Sequence, residues 1–109
     1  MIMEKETHIL YLEELLSDSD YLSGRKFSKN YTHKENILGR IMLDHKIHIE
    51  ISDKIKFISD SFWKGFFNDI CKKYRNDQIL NIFSFSGNKE MVDGLIENLK
   101  IIDLIHHSK

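Results

Sequence analysis

Residues 46–85 read KIHIEISDKIKFISDSFWKGFFNDICKKYRNDQILNIFSF, and this stretch decides the fold. It opens with KIHIEI, in which Ile47, Ile49 and Ile51 alternate with polar residues, as in a strand with one buried face. It closes with ILNIFSF, residues 79–85, an apolar run between polar turn residues that predicts a central strand covered on both faces.

Residues 60–75, between the two strands, carry apolar side chains at helical spacing. Phe62, Phe66 and Ile70 recur every four residues, which predicts a helix packed onto the sheet, with Ser59 or Asp60 as its N-cap. After the turn Ser86-Gly87-Asn88, the spacing of residues 89–99 predicts a second helix capped by Asn88. The order strand, helix, strand, helix places the two strands parallel.

The predicted fold class is therefore α/β. We expect a small mixed, partly parallel sheet of about four strands, covered mainly on one face by helices, in a single domain over residues 1–109. Residues 8–16 favour a first strand, although they also show helical spacing. Residues 23–43 fit one helix or a helix broken near residues 30–33. Residues 101–105 fit an edge strand or a continuation of the last helix.

Composition narrows the classes of function. The 16 basic and 17 acidic residues give a net charge of -1 without charge blocks, which disfavours nucleic-acid binding. No apolar run is long enough to span a membrane, and the N-terminus MIMEKETHIL lacks the pattern of a secretory signal. The single cysteine, Cys71, lies on the apolar flank of its helix and has no cysteine partner. These features predict a cytoplasmic protein.

Motifs for catalysis, cofactors and metals are absent from the sequence. Neither His45 with His48 nor His106 with His107 has the spacing of a zinc site, and no phosphate-binding or nucleophile-elbow motif occurs. We therefore predict no enzyme activity, no metal and no cofactor. A small enzyme built from Asp53, Asp60 and histidines is the weakest alternative, because no base, nucleophile and orienting group can be placed together.

The spacing of residues 22–99 resembles that of the STAS-like domain family of bacterial proteins. The similar features are the strand through Ile49 and Ile51, Asp53, and the step from Ile55 through residues 57–59 to Ser61-Phe62. Ser23-Gly24-Arg25 looks like the family's Ser-Arg start of the preceding helix, and NIFSFSGNKEMVDGLI resembles its last strand and helix. The resemblance implies a protein-binding domain similar to the anti-sigma-factor antagonists.

In those relatives a partner kinase phosphorylates a serine at the start of a helix, and Ser61 occupies the similar position here. The chain departs from the family pattern at Ser59, where an aspartate would stand, and at Phe62, where a glycine would stand. Helix capping alone also explains Ser59, Asp60 and Ser61. Arg25, at a helix start, pairs with Asp20 or Asp53 or points at a ligand.

The leading hypothesis is a non-enzymatic regulatory or adaptor domain that docks a protein partner, and the family resemblance implies a kinase-like ATPase as that partner. An alternative is a small phage or mobile-element inhibitor that occludes a host enzyme such as a nuclease. Most of the aromatic group Phe62, Trp63, Phe66 and Phe67 is expected to be core, but Trp63 or Phe67 is expected to remain exposed and mark the docking surface, or to close a homodimer. The predicted partner-binding residues are Ser59, Asp60, Ser61, Phe62, Trp63, Phe67, Gly87 and Asn88.

Overall fold

The computed structural model describes residues 6–107. The elements are β1 (Thr7–Tyr11), a 3-10 turn (Leu12–Leu15), β2 (Tyr21–Leu22), α1 (Arg25–Lys34), α2 (Ile37–Met42), β3 (Lys46–Ile51), β4 (Phe57–Ile58), α3 (Asp60–Lys73), α4 (Asn76–Ile82), β5 (Phe83–Gly87) and α5 (Lys89–His107). Residues 1–5, which begin the N-terminal segment MIMEKETHIL, and residues 108–109, at the end of the predicted domain, lie outside the described residues.

The α/β class is confirmed, and β3 lies at the centre of a three-stranded sheet between β1 and β5. Across this sheet Ile9 is level with His48, and His48 is level with Ser84. β2 and β4 form a separate two-stranded sheet in which Tyr21 pairs with Phe57. Every strand pair in residues 6–107 is parallel, where a mixed sheet was expected.

The alternation predicted for residues 46–51 is confirmed. Ile47, Ile49 and Ile51 are at most 1% exposed and face the helices, whereas Glu50 on the opposite face is exposed. α3 lies over β5 on the covered face, where the ring centroids of Phe67 and Phe83 are 5.5 Å apart. Helices therefore cover mainly one face of the sheet, as predicted.

Local sequence signals explain α3 and α5. Ser59 is the N-cap of α3, and its Oγ accepts a hydrogen bond of 3.2 Å from the backbone N–H of Phe62. Asn88 caps α5 in the same way, through a 3.2 Å bond from the N–H of Met91 to its Oδ1. Because Ile102 is 3% exposed and packs in the core, α5 continues past residue 99 to His107, which settles residues 101–105 as helix.

The strand predicted at residues 79–85 is wrong in its first half, because α4 occupies residues 76–82 and β5 begins at Phe83. The carboxylate of Asp103, on α5, accepts a 3.0 Å bond from the N–H of Asn76 and caps α4 from a distant part of the chain. Gln78 adds a local cap, since its Oε1 accepts a 2.8 Å bond from the N–H of Arg75. The apolar run alone could not show the contact from Asp103.

Residues 8–16, whose spacing fits both a strand and a helix, form a strand followed by a short helical turn. β1 is the strand favoured for residues 8–16, and the 3-10 turn follows it directly. The predicted break between two helices exists, but it lies at Glu35 and Asn36, where Asn36 has the left-handed φ of 51°. No helix within residues 6–107 has the length and apolar character that crossing a bilayer requires.

Gly65 is the point of closest approach between α1 and α3. A Cβ atom there would collide with the backbone carbonyl oxygen of Arg25 and with Oγ of Ser28. Gly94, in the middle of α5, has the opposite surroundings, because a Cβ atom there would meet nothing within 4 Å. Only the first of these two helical glycines is required by packing.

These two glycines predict opposite effects of an added methyl group. Gly65→Ala is expected to lower the free energy of unfolding by about 1–3 kcal/mol through overpacking. Gly94→Ala is expected to raise it by about 0.5–1 kcal/mol, because alanine is the better helix former. Urea unfolding followed by circular dichroism measures both. An unchanged stability of Gly65→Ala would contradict the close approach of α1 to α3.

Candidate partner-binding site

The start of α3 is held to two other helices by polar side chains. The hydroxyls of Ser59 and Ser61 are 2.8 Å apart, and Ser61 Oγ also accepts a 3.2 Å bond from the N–H of Gly24, the residue before α1. Asp60 Oδ1 accepts a 3.0 Å bond from Asn98 Nδ2 on α5. Ser59 therefore has the capping role predicted for it, and the Ser61 hydroxyl is engaged within the chain.

The exposure expected for Trp63 or Phe67 is wrong, whereas the core packing expected for most of the aromatic group agrees with its burial. Phe62, Trp63 and Phe67 are 0%, 2% and 0% exposed. α3 lies between α1, α5 and the sheet, so all its aromatic faces meet protein, and Phe66 contacts the rings of both Phe62 and Phe67. As a group these rings form core packing rather than an exposed docking surface.

The turn at residues 86–88 joins β5 to α5 next to β3. Gly87 has a φ of 122°, and a Cβ atom there would collide with the backbone carbonyl oxygen of Ile51. Glycine is therefore required both by the backbone conformation and by the close approach of β3. This tight turn sets Asn88 at the beginning of α5 beside the end of the central strand.

A cleft of about 600 Å³ lies between the β3–β4 connection and the first turns of α3 and α5. It brings together residues from both predicted partner-binding regions, since Asp60 and Trp63 line it together with Asn88. Trp63 is only 2% exposed and contributes little of its surface. The remaining lining residues are Asp53, Ile55, Lys56, Phe57, Ile58, Glu90, Met91, Gly94 and Asn98.

Three exposed aromatic residues beside the cleft replace those expected on α3. Tyr21, Phe27 and Phe57, named here the aromatic strip, are 51%, 44% and 59% exposed. Tyr21 and Phe57 are register partners in the β2–β4 sheet, and Phe57 lines the cleft. Tyr21 and Phe27 line an adjoining groove of about 310 Å³. Sequence reasoning missed the strip because β2 and β4 are two residues long and show no periodicity.

Arg25 occupies the first turn of α1, as predicted, but the expected ion pair is wrong. Within residues 6–107, neither Asp20 nor Asp53 lies within 4 Å of its guanidinium group, and the side chain is exposed. Only its backbone is engaged, since the Arg25 carbonyl oxygen accepts a bond of 3.1 Å from Ser28 Oγ. The charge at this helix start is therefore left to solvent.

The six histidines are bonded within the chain rather than simply solvated. His48, on the open face of the sheet, lies 2.6 Å from Ser84 Oγ through Nδ1 and 2.9 Å from Ser86 Oγ through Nε2. The other five also have partners: His8 contacts Glu35, His33 contacts Asp69, His45 contacts Glu6, His106 contacts Asn68, and His107 contacts the Cys71 carbonyl oxygen. No group of three metal-binding side chains converges within the described part of the chain.

Asp69 and Cys71 have perturbed acidity for different reasons. Partial burial raises the pKa of Asp69, but the hydrogen bond from His33 and the charges of Lys29 and Lys72 outweigh it, so the pKa lies below its usual value. Burial, with a smaller effect of the Asp103 charge, raises the pKa of the Cys71 thiol to about 12. Cys71 is 0% exposed, which agrees with its predicted place on the apolar flank of α3.

No protein-family model, curated protein or solved structure matches this chain. The resemblance to STAS-like domains therefore stays a prediction, and so does the phosphorylation of Ser61 that it implies. What can be said of function comes from the geometry of the cleft and the aromatic strip.

Cys71 is expected to be unreactive in the native protein. With a pKa of about 12, only about one thiol in ten thousand is ionised at pH 8, and the thiolate is the reactive form. Labelling with a chromogenic disulfide reagent at pH 8 should proceed only as fast as the protein unfolds, and it should go to completion in concentrated urea. Rapid stoichiometric labelling without urea would contradict the burial.

Proposed function

We propose that this chain is a non-enzymatic regulatory or adaptor domain that binds a partner protein through the aromatic strip and the cleft beside it. The observation that carries the proposal is the exposure of Tyr21, Phe27 and Phe57 next to a cleft of about 600 Å³. Exposed tyrosine and phenylalanine side chains contribute large contact areas, and aromatic residues are enriched among interface hot spots. The proposal places the domain in the cytoplasm.

The strip also has the rigidity that a docking surface needs. Its two strands are tied at both ends, because Lys56 N–H donates a 2.6 Å bond to the Asp20 carbonyl oxygen and Ser59 N–H donates a 2.9 Å bond to that of Leu22. Ordering the surface in advance lowers the entropy lost on binding. A partner would therefore meet aromatic side chains on a fixed backbone.

The geometry gives the enzyme hypothesis little support. Asp53 and Asp60 do line the same cleft, as that hypothesis requires, but none of the cleft-lining residues is a histidine. The side chain bonded to Asp60 is that of Asn98, an amide that donates to the carboxylate and cannot act as its base. The cleft has the composition of a binding surface, with apolar and acceptor groups side by side.

A constitutive inhibitor is the second candidate, and the surroundings of Ser61 favour it over a phosphorylation switch. The Ser61 hydroxyl accepts a bond from Gly24 N–H and contacts Ser59, so a kinase would first have to separate α1 from α3 at this point. An inhibitor of a host enzyme would need no such change. The two candidates share the docking surface and differ in whether phosphate on Ser61 controls it.

Truncating the strip is expected to abolish partner capture. In a pull-down from host lysate, Phe57→Ala and Tyr21→Ala should each lose a partner that the wild type retains, since removing a hot-spot side chain costs about 2 kcal/mol or more of binding free energy. Tyr11→Ala is the matched control, because Tyr11 is 42% exposed on β1 and lines neither the cleft nor the groove beside it. Thermal unfolding confirms that each variant is folded. Equal loss with Tyr11→Ala would contradict the location.

Ser61 variants distinguish the regulatory domain from the inhibitor. If phosphate controls docking, Ser61→Asp should weaken partner capture at least about tenfold relative to Ser61→Ala, because the added charge acts at the start of α3. If the chain is a constitutive inhibitor, both variants should retain the partner. Mass spectrometry of the captured bait checks Ser61 for phosphate directly, and its absence with both variants still binding would contradict the switch.

A further inference from the structure

The cleft offers a ligand an excess of negative charge and of hydrogen-bond acceptors. Asp53, Asp60 and Glu90 line it, against one cation, Lys56. Lys56 is partly occupied already, because its Nζ donates a 3.1 Å bond to the backbone carbonyl oxygen of Asp53. A cationic ligand would therefore be attracted to this cleft and an anionic one repelled.

Asn98 adds an acceptor that is independent of these charges. Its side chain is 8% exposed and lines the cleft, and Nδ2 donates to both Asp60 Oδ1 and the Gly94 carbonyl oxygen, each at 3.0 Å. Both N–H groups of the amide are thus used, while no donor in residues 6–107 reaches Oδ1. This oxygen is not buried and stays open to water in the cleft, so Asn98 can offer a ligand only an acceptor, which a ligand N–H would bond.

Gly94 keeps this wall of the cleft open. It lies one turn before Asn98 on α5, it lines the cleft, and no packing contact requires the absence of a side chain there. Glycine in a helix interior is less stabilising than alanine, so the position carries a cost that the fold does not explain. A side chain at residue 94 would project into the space in front of Asn98.

We propose that the cleft binds the guanidinium group of an arginine side chain that the partner protein presents. Arginine fits because it is always charged, carries five N–H donors and no acceptor, and has an apolar stem. The donors would meet Asp60, Glu90 and Asn98 Oδ1, while the stem lies along Met91 and the exposed ring of Phe57. The inference rests on the proposed function, since it assigns the partner's chemistry at the same surface.

Nuclear magnetic resonance with small probes tests the inference without a known partner. The probes are Nα-acetyl-arginine N-methylamide and its neutral isostere Nα-acetyl-citrulline N-methylamide, titrated into ¹⁵N-labelled full-length protein. The arginine probe should shift the backbone signal of Gly94 and the side-chain amide signals of Asn98 in a saturable way. The citrulline probe should bind at least about tenfold more weakly, because it lacks the charge.

Variants localise the binding. Glu90→Gln should weaken the arginine probe about two- to fivefold, the usual effect of an exposed ion pair, whereas Glu97→Gln, on the same helix and outside the cleft, should leave it unchanged. Gly94→Leu should abolish binding by filling the space before Asn98. Its fold is checked by circular dichroism, and the open surroundings of residue 94 allow the larger side chain.

Three results would overturn the inference: no saturable shift with either probe, equal shifts with both, or equal weakening by Glu90→Gln and Glu97→Gln. The pull-down with Phe57→Ala separates this failure from failure of the proposed function. If the partner is captured and lost in Phe57→Ala while the arginine probe does not bind, the arginine pocket is wrong and the docking surface stands. If neither experiment succeeds, both proposals fall.

Discussion

The close packing of α3 against three neighbours is the constraint on which the rest of the structure depends. Gly65 lets the backbone of α1 approach, Phe67 meets Phe83 of the sheet, and the Cys71 carbonyl oxygen lies 2.6 Å from His107 Nε2 on α5. Burying one large apolar side chain stabilises the fold by about 1.5–3 kcal/mol, and α3 buries several at once. Once this helix is fixed, its first turn is fixed too, and that turn forms one wall of the cleft.

The open face of the sheet is stabilised by side chains that satisfy one another. Parallel sheets are usually covered on both faces, because their connections place helices on each side. Here His48 bridges Ser84 and Ser86 from the neighbouring strand, so polar groups on the solvent face are bonded across β3 and β5. The three-stranded sheet can therefore use its single layer of helices for the core and leave its other face to water.

Signals within a few residues of one another predicted much of this fold. The alternation of Ile47, Ile49 and Ile51 located β3, and the caps at Ser59 and Asn88 located the starts of α3 and α5. The same kind of reasoning failed at residues 79–82, where an apolar run fits a strand as well as a short helix. The deciding contact there is the Asp103 carboxylate, which reaches Asn76 from α5.

The sequence by itself determined the α/β class, the central strand and the main helices with their caps. These features follow from periodicity, capping and chain order, which act locally. Only the tertiary structure decided which aromatic side chains are exposed, because burial depends on what packs against each face of α3. In the folded chain Trp63 and Phe67 are core residues, whereas Tyr21 and Phe57 are exposed at the surface. Tyr21 and Phe57 lie on two short strands that pair although they are far apart in the sequence.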